Sequence, residues 1–354
     1  MSLFKSVATF GGFTFVSRIT GFLRDMVLAN YLGAGAVSDA FLAAFKIPNL
    51  FRSLFAEGAF TTAFVPMLSH KLVSEKREDA LNFASKAISA LTFFVTLFVI
   101  VIEIFMPGVV LLLAPGFADD PGKLELTTTL SRITFPFLLF ISIVSFQSGI
   151  LNSLGKFAAP IILNLMMIAS VFIFVPLSFS PAEGISWSVT FAGFVEILVL
   201  RWFLRRQDVR ITPYCNIRAL IKDSEIITLF KRIAPGVLGA GIYQINMAVD
   251  LVLVSLVGNG AISWLYYANR LQQPLGVVGA AISVALLPIL SAHLKSEKIA
   301  EARSTQDKAI EYGALLSFPA AVALIVLAEP IVNILFQHGR FNAQDTLQTA
   351  AAVI

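Results

Sequence analysis

The chain has 354 residues, of which 57% are hydrophobic and 14% are charged, and its mean hydropathy is +0.83. Because soluble domains carry about 25% charged residues, this composition excludes an ordinary soluble protein and predicts an all-α protein that crosses a membrane many times. The single cysteine, Cys215, excludes a disulfide framework within the chain and a metal site built from several cysteines.

Apolar runs long enough to cross a hydrocarbon core of about 30 Å follow one another along the chain. The predicted spans cover residues 6–30, 36–68, 84–112, 130–152, 158–178, 184–204, 233–257, 261–292 and 309–328. A tenth apolar run begins near residue 346, and the chain ends before this run is long enough to cross a bilayer. We therefore expect about nine full transmembrane helices and the start of a tenth. The chain is either truncated or has an abbreviated second copy, and the incomplete last run favours truncation.

Positive charge is concentrated in alternate loops. The longest basic loop joins the sixth and seventh spans and contains eight Lys or Arg residues: Arg201, Arg205, Arg206, Arg210, Arg218, Lys222, Lys231 and Arg232. By the positive-inside rule, the N-terminus and the basic loops are cytoplasmic. Because the basic residues follow this topology, the sequence pI of about 9.2 does not indicate nucleic-acid binding.

An internal repeat predicts the architecture. Gly33-Ala-Gly-Ala-Val-Ser38 matches Gly258-Asn-Gly-Ala-Ile-Ser263, and Ala63-Phe-Val-Pro-Met-Leu-Ser69 matches Ala285-Leu-Leu-Pro-Ile-Leu-Ser291, at almost the same offset along the chain. Six predicted spans lie between equivalent points, so both copies have the same orientation in the membrane. The sequence predicts a two-lobe transporter of parallel six-helix repeats, with an N-terminal lobe at 1–206, a basic cytoplasmic linker at 207–228 and an incomplete C-terminal lobe at 229–354.

Four arginines lie in or beside apolar spans: Arg18, Arg24, Arg52 and Arg270. An arginine at the bilayer centre costs roughly 2.5–3.5 kcal/mol on insertion scales, so a chain that keeps several is expected to provide anions or water for them. A guanidinium donates two parallel hydrogen bonds to a phosphate. We predict that these four arginines bind a phosphate-bearing substrate in a cationic cavity between the lobes.

Other charged residues in the same spans are candidates for gating or charge coupling. They are Asp25, Asp39, Lys46 and Glu57. A simpler interpretation is that the charges pair internally, for example Arg18 with Asp25 or Arg52 with Glu57. Snorkelling from a helix end accounts for Arg132 and Arg201. The first two spans contain more basic than acidic residues, which favours a binding site. Pro48 is expected to kink or interrupt the second span.

The sequence does not indicate an enzyme. It contains no Walker A loop, no nucleophile elbow and no histidines at metal-ligand spacing, which argues against direct ATP hydrolysis and against metal-dependent chemistry. We therefore expect a transporter that needs no cofactor.

The charged motifs closely resemble those of a known family. Ser17-Arg-Ile-Thr-Gly-Phe-Leu-Arg-Asp25, Ser38-Asp-Ala-Phe41, Lys46-Ile-Pro-Asn-Leu-Phe-Arg52 and Glu57-Gly-Ala-Phe60 are similar to the MurJ (MviN) family of the multidrug/oligosaccharidyl-lipid/polysaccharide exporter superfamily. The resemblance implies a lipid II flippase of the bacterial inner membrane that serves peptidoglycan and cell-wall synthesis, and hence cell shape. In that family the arginines matching Arg18, Arg24, Arg52 and Arg270 bind the undecaprenyl-pyrophosphate glycopeptide, and Asp39 is also implicated.

The resemblance also implies partners and an energy source. Lipid II and membrane lipids are the expected partners, together with the cell-wall synthesis machinery. Asp250 matches an acidic residue that some family members use to bind sodium, and the other sodium ligands would lie beyond residue 354. We expect the membrane potential or an ion gradient to drive transport. Two alternatives stay open: a flippase for another polyprenyl-linked oligosaccharide, and a non-transporting membrane scaffold in envelope assembly.

Overall fold

The computed structural model describes the backbone of residues 3–57, 59–74, 76–154, 160–214 and 216–354. Side chains are described from residue 16 onward, except those of residues 56–62, 75, 155–162, 215, 274, 275, 277, 278, 280, 281, 284 and 285. Cys215 therefore lies outside the described residues, and so does the side chain of Glu57.

The described residues are almost entirely α-helical and include no strand. The first half contains α1 (Leu3–Leu32), α2 (Ala36–Arg52), α3 (Ala59–Ser74), α4 (Arg77–Ile104), α5 (Met106–Leu113), α6 (Pro121–Thr134) and α7 (Phe137–Ser153). The second half contains α8 (Pro160–Leu177), α9 (Pro181–Arg206), α10 (Ile217–Lys222), α11 (Ser224–Ser255), α12 (Ala261–Lys295), α13 (Ile299–Phe336) and α14 (Ala343–Val353). The prediction of an all-α protein is confirmed.

Within the described residues, five helical segments are long and apolar enough to cross a membrane. They are Arg77–Ile104, Pro121–Ser153, Pro181–Arg206, Ser224–Ser255 and Ile299–Phe336. The second of these comprises α6 and α7, which meet at Phe135 and Pro136. The polytopic architecture is therefore confirmed, whereas the expected total of nine full spans stays a prediction.

The helix starts agree with the internal repeat. The helices α2 and α12 begin at the equivalent positions Ala36 and Ala261, and α4 and α13 begin at Arg77 and Ile299, at nearly the same offset. Gly33 and Gly258, which precede the starts of α2 and α12, both have positive φ angles, of 66° and 136°. The two copies differ in one respect. In the first copy a π-helical turn at Ser53–Glu57 follows α2, whereas α12 of the second copy is continuous.

Pro48, the expected site of a kink or interruption, lies inside α2. Helix α2 continues through Pro48 to Arg52, and the π-helical turn follows. A proline leaves the carbonyl four residues earlier without its usual donor. Here the hydroxyl of Thr134 on α6 donates to the carbonyl of Ala44, at 3.2 Å. A neighbouring helix therefore supplies the hydrogen bond that the proline cannot make.

Several helices extend past the predicted spans into polar sequence. Helix α6 begins at Pro121, well before the predicted span, because the Asp120 carboxylate accepts the backbone N–H of Lys123 at 3.0 Å and caps the helix. Lys123 consequently lies in the first turn of α6, whereas the sequence pattern placed it in a loop. Helix α11 likewise starts at Ser224 with Asp223 as its cap.

The chain divides into two compact units, the first formed by residues 1–28 and 35–262 and the second by residues 29–34 and 263–354. In the first unit the aromatic rings of Phe64, Phe83 and Phe146 stack in the core, with 4.2 Å between the centroids of Phe64 and Phe146. Helices α8 and α9 cross closely at Gly184, where a Cβ would lie 2.7 Å from the Cα of Val175. The lobe boundary at 207–228 stays a prediction.

The second unit has its own aromatic core. The buried ring of Tyr267 on α12 contacts Phe336 at 5.0 Å and Phe341 at 5.4 Å between ring centroids. Helix α14 begins with a reciprocal capping box between Asn342 and Asp345.

Candidate functional site

Arg24 is held by partners from three helices of the first unit. It is 8% exposed, and its Nε and Nη2 donate to Oδ1 of the fully buried Asp25, at 3.0 and 2.7 Å. Its Nη1 donates to Oδ1 of Asn164 on α8 at 3.1 Å, and its guanidinium lies 5.8 Å from the ring centroid of Phe45 on α2. Asn164 also donates to the carbonyl of Ser17 at 3.1 Å. The guanidinium plane is thereby fixed inside the helix bundle.

This geometry changes the expected pairing of charges. Asp25 pairs with Arg24, its neighbour in sequence, whereas helical spacing suggested Arg18 as its partner. The Arg18 side chain is exposed. The alternative pair of Arg52 with Glu57 falls on a side chain outside the described residues.

Arg52 lies close to an acidic residue that sequence reasoning did not select. The charge of Arg52 acts on the carboxylate of Glu196, which lies on α9 and is 2% exposed. The structure buries the Glu196 side chain inside the first unit, within the electrostatic reach of Arg52.

Lys46 and Asp250 interact electrostatically between α2 and α11. The partly buried Lys46 was predicted to couple charge, and Asp250 was a candidate sodium ligand. A sodium ion bound at Asp250 would lie within the electrostatic reach of the positively charged Lys46 side chain, which disfavours a cation there. Among the described residues no group of three or more His, Cys, Asp or Glu side chains is arranged to hold a metal ion.

Asp39 and Lys123 form a second buried ion pair in the first unit. The Lys123 Nζ donates to Oδ2 of Asp39 at 3.0 Å and to Oδ1 of Asn259 at 2.8 Å, and it lies 4.1 Å from the ring centroid of Phe117. The backbone N–H of Gly260 donates to the same Asp39 oxygen at 2.7 Å. This network joins the starts of α2 and α6 to the loop before α12. By the predicted topology, all of these lie on the non-cytoplasmic side.

Arg270 lies in the second unit, on α12. Its Nη2 donates to the hydroxyl of Tyr266 at 2.9 Å, and its Nη1 donates to Oε1 of Gln273 at 3.1 Å. Its guanidinium lies 5.0 Å from the ring centroid of Tyr266. Both partners are one turn away on the same helix, and the Arg270 side chain is partly exposed.

The first unit therefore contains oriented basic groups that are suited to an anion. Asp25 and Asn164 hold the Arg24 guanidinium in one plane, and a planar guanidinium of fixed orientation suits a phosphate. Sequence reasoning did not select Lys123, Glu196 or Asn164 as parts of these clusters. Polarity inside an apolar run was the one signal for Glu196 and Asn164, whereas Lys123 lies in the polar stretch between two predicted spans.

Comparisons with known proteins agree on one family. A model of the family "Lipid II flippase MurJ" matches residues 28–354. A protein of Rhizobium tropici named "Probable lipid II flippase MurJ" is 40% identical over 98% of this chain and 66% of its own length. A protein of the same name from Rickettsia prowazekii is 37% identical over 100% of this chain and 69% of its own.

Solved structures give the same result for the fold. "Lipid II flippase MurJ, inward closed conformation" superposes with a TM-score of 0.79 and 26% sequence identity, over 98% of this chain and 71% of that one. An inward-facing multidrug resistance transporter of the MATE family, in the MOP superfamily, superposes with a TM-score of 0.70 at 15% identity, over 95% of this chain and 76% of that one. The chain thus spans about two thirds of the length of the relatives it matches, 66% for the protein of Rhizobium tropici.

Proposed function

The chain belongs to the MurJ family of lipid II flippases, and we propose that it binds the pyrophosphate of lipid II and moves this lipid from the cytoplasmic to the periplasmic leaflet. The observation that carries the proposal is the orientation of Arg24. A buried guanidinium fixed by Asp25 and Asn164 is preorganised for a charge-assisted, bidentate bond.

Arg52 supplies the second proposed contact to the pyrophosphate. The buried Glu196 lies near it and gives Arg52 a polar neighbour inside the helix bundle. Arg18 and Arg270 stay predictions as further substrate ligands. Asp25 would act by positioning Arg24. The lipid II translocation experiment described below can test the binding role of each arginine.

Transport by alternating access requires a site that opens to one side of the membrane at a time. In this proposal the Asp39–Lys123 network is the gate on the non-cytoplasmic side, because it ties α2 and α6 to the loop before α12. Its charges would have to separate or exchange partners for the substrate to leave. Lys46 and Asp250 form the second charge pair that such a movement would alter.

The protein is a membrane protein, and we propose that it resides in the bacterial inner membrane with a cytoplasmic N-terminus. Its role would be transport rather than catalysis, in peptidoglycan synthesis. The membrane potential would supply about 2.3 kcal/mol per charge for each 100 mV, and a cation gradient acting at Asp250 is the other proposed source of energy.

The test measures lipid II in the outer leaflet of cells depleted of their own flippase. The chain is expressed as it stands and as a chimera that continues into the part of the Rhizobium tropici relative that it does not match. Arg24→Ala and Arg52→Ala are each expected to reduce outward lipid II roughly ten- to hundred-fold, because each removes a charge-assisted hydrogen-bond donor to the pyrophosphate. Arg24→Lys keeps the charge but loses the planar fork, and it is expected to recover only part of the activity.

Arg201→Ala is the matched control, since Arg201 is an exposed arginine near the end of α9. It is expected to retain the parental translocation level. Parental lipid II translocation by both Arg24→Ala and Arg52→Ala, at equal protein levels, would overturn the proposed role of these arginines. A non-transporting scaffold predicts that result.

A further inference from the structure

An apolar cavity lies in the first unit between α4, α10 and α11. Its volume is about 420 Å³, within the range of sites that hold small ligands. Ala90 and Phe94 of α4 and Phe230 of α11 contribute to its walls, and the rings of Phe94 and Phe230 meet edge to face at 5.1 Å between centroids. This cavity is separate from the Arg24 and Asp39 clusters.

Helix α10 places apolar and basic side chains side by side at this cavity. Ile217 and Ile221, one helical turn apart, line it and are 37% and 53% exposed. Arg218 and Lys222 each follow one of these isoleucines directly, so they form the adjacent exposed stripe of the same helix. Asn216 caps the helix by accepting the backbone N–H of Ala219 at 3.1 Å. The short helix therefore has the composition of one lying at a membrane surface.

Two ion pairs fix the depth of the cavity. Lys86 of α4 donates to Asp223 at 2.6 Å, and Lys71 of α3 donates to Glu225 at 2.6 Å. Ala90 and Phe94 lie one and two turns beyond Lys86, about 6 and 12 Å further along α4. The cavity therefore begins beside these charged residues and extends along the apolar part of α4. By the predicted topology, this is the cytoplasmic side of the membrane, where lipid headgroups meet their acyl chains.

The charge around the cavity is strongly positive. Residues 201–232 contain eight Lys or Arg and three acidic residues, a net charge of +5. Two of the acids, Asp223 and Glu225, are paired with Lys86 and Lys71, which lie outside this segment. Lys231 lines the cavity and is exposed, as are Arg218 and Lys222. None of these three forms an ion pair with a described residue.

We propose that this cavity binds an anionic phospholipid, with one acyl chain between α4, α10 and α11 and its phosphate held by Arg218, Lys222 and Lys231. The apolar walls fit a hydrocarbon chain, the depth fits a lipid headgroup, and the basic residues select a negatively charged one. Bound lipid would fasten α10 and the start of α11 to the membrane. The proposal does not depend on lipid II transport.

The experiment uses the purified chain in phosphatidylethanolamine vesicles that contain phosphatidylglycerol with a photoreactive acyl chain. Labelled peptides are mapped after illumination, and unlabelled phosphatidylglycerol competes for the site. Labelling is expected in α4, α10 and α11. The variant Arg218→Gln/Lys222→Gln/Lys231→Gln is expected to lose roughly a hundred-fold in apparent affinity at low salt, since each basic residue near an anionic lipid contributes about five-fold.

The matched control is Arg201→Gln/Arg205→Gln/Arg206→Gln, which removes the same charge from the exposed end of α9. It is expected to keep the labelling. A second variant, Ile221→Trp, keeps the charge but fills the cavity, and it is expected to lose labelling in α4 and α11. Equal labelling by photoreactive phosphatidylcholine, equal losses in the two charge variants, or full labelling of Ile221→Trp would each overturn the proposal.

Discussion

Arg24 and Arg270 share one chemistry in two different settings. Arg24, in the first unit, is 8% exposed and bonded to Asp25 and to Asn164 of another helix. Arg270, in the second unit, is partly exposed and bonded to Tyr266 and Gln273 of its own helix. The difference shows that an arginine in an apolar segment is not by itself a prepared site. Partners from other helices help to orient Arg24, whereas Tyr266 and Gln273 bind Arg270 from its own helix.

The largest expected effect follows from this contrast in burial. Arg24→Ala leaves the fully buried carboxylate of Asp25 without this partner, and we expect the free energy of unfolding to fall by about 3–5 kcal/mol. Arg270→Ala removes a cation–π contact at a partly exposed position, for which we expect a loss of about 0.5–1 kcal/mol. Equilibrium unfolding in mixed detergent micelles measures both values. Equal losses in the two variants would remove the distinction between the two settings.

The Asp39–Lys123 pair tests whether every buried ion pair of the first unit contributes as much stability as Arg24 with Asp25. Lys123→Ala leaves Asp39 with the backbone N–H of Gly260, so the expected loss in the free energy of unfolding is smaller, about 2–3 kcal/mol. The double variant Asp39→Asn/Lys123→Met removes both charges and is expected to lose less than Lys123→Ala alone. The single variants Asp39→Asn and Lys123→Met complete the cycle. If the double variant loses as much free energy of unfolding as the two single variants together, the two side chains do not stabilise each other.

The sequence predicted the helices and the repeat well, because both depend on local patterns. Hydrophobic runs and glycine positions located the starts of α2 and α12, which occupy equivalent places in the two copies. The partners of the charged side chains were not predicted. Asn164 is 140 residues from Arg24, and Lys123 is 84 residues from Asp39. The periodicity of a single helix predicts contacts only between residues a few positions apart. The sequence therefore identified the charged residues but not their partners.

The same limit explains the error at Asp25. Helical spacing places Arg18 and Asp25 near one face, and adjacent residues do not normally face each other. The Arg24 guanidinium nevertheless bonds to Asp25. Asn164 accepts a hydrogen bond from Nη1 of Arg24, and the Phe45 ring packs against the guanidinium, so both help to keep it in this position. A distant partner also acts at Pro48, where Thr134 of α6 supplies the hydrogen bond that the proline cannot make.

The smallest expected effect concerns the ion pair of Lys86 with Asp223. Its side chains are 22% and 16% exposed, so they are less buried than the Arg24–Asp25 pair. Burial by itself raises the pKa of Asp223, but the hydrogen bonds from Lys86 and from the backbone N–H groups of Glu225 and Ile226 outweigh it and hold this pKa below its ordinary value of 3.8. Asp223 therefore stabilises the folded protein above pH ~3.8, and this contribution is lost as the pH falls through the lowered pKa.

Lys86→Met should remove most of that contribution. We expect it to lower the free energy of unfolding by under about 1 kcal/mol at neutral pH, as for other partly exposed ion pairs, and by less at acid pH, where Asp223 is protonated in both proteins. Unfolding in detergent at a series of pH values measures the difference, with the exposed Lys308→Met as the control for lost charge. If the free energy of unfolding of Lys86→Met still differs from that of the parent at acid pH, the effect comes from packing of the lysine stem. The charges of Lys86 and Asp223 would then contribute little to stability, in contrast to the buried ion pairs of Arg24 and Lys123.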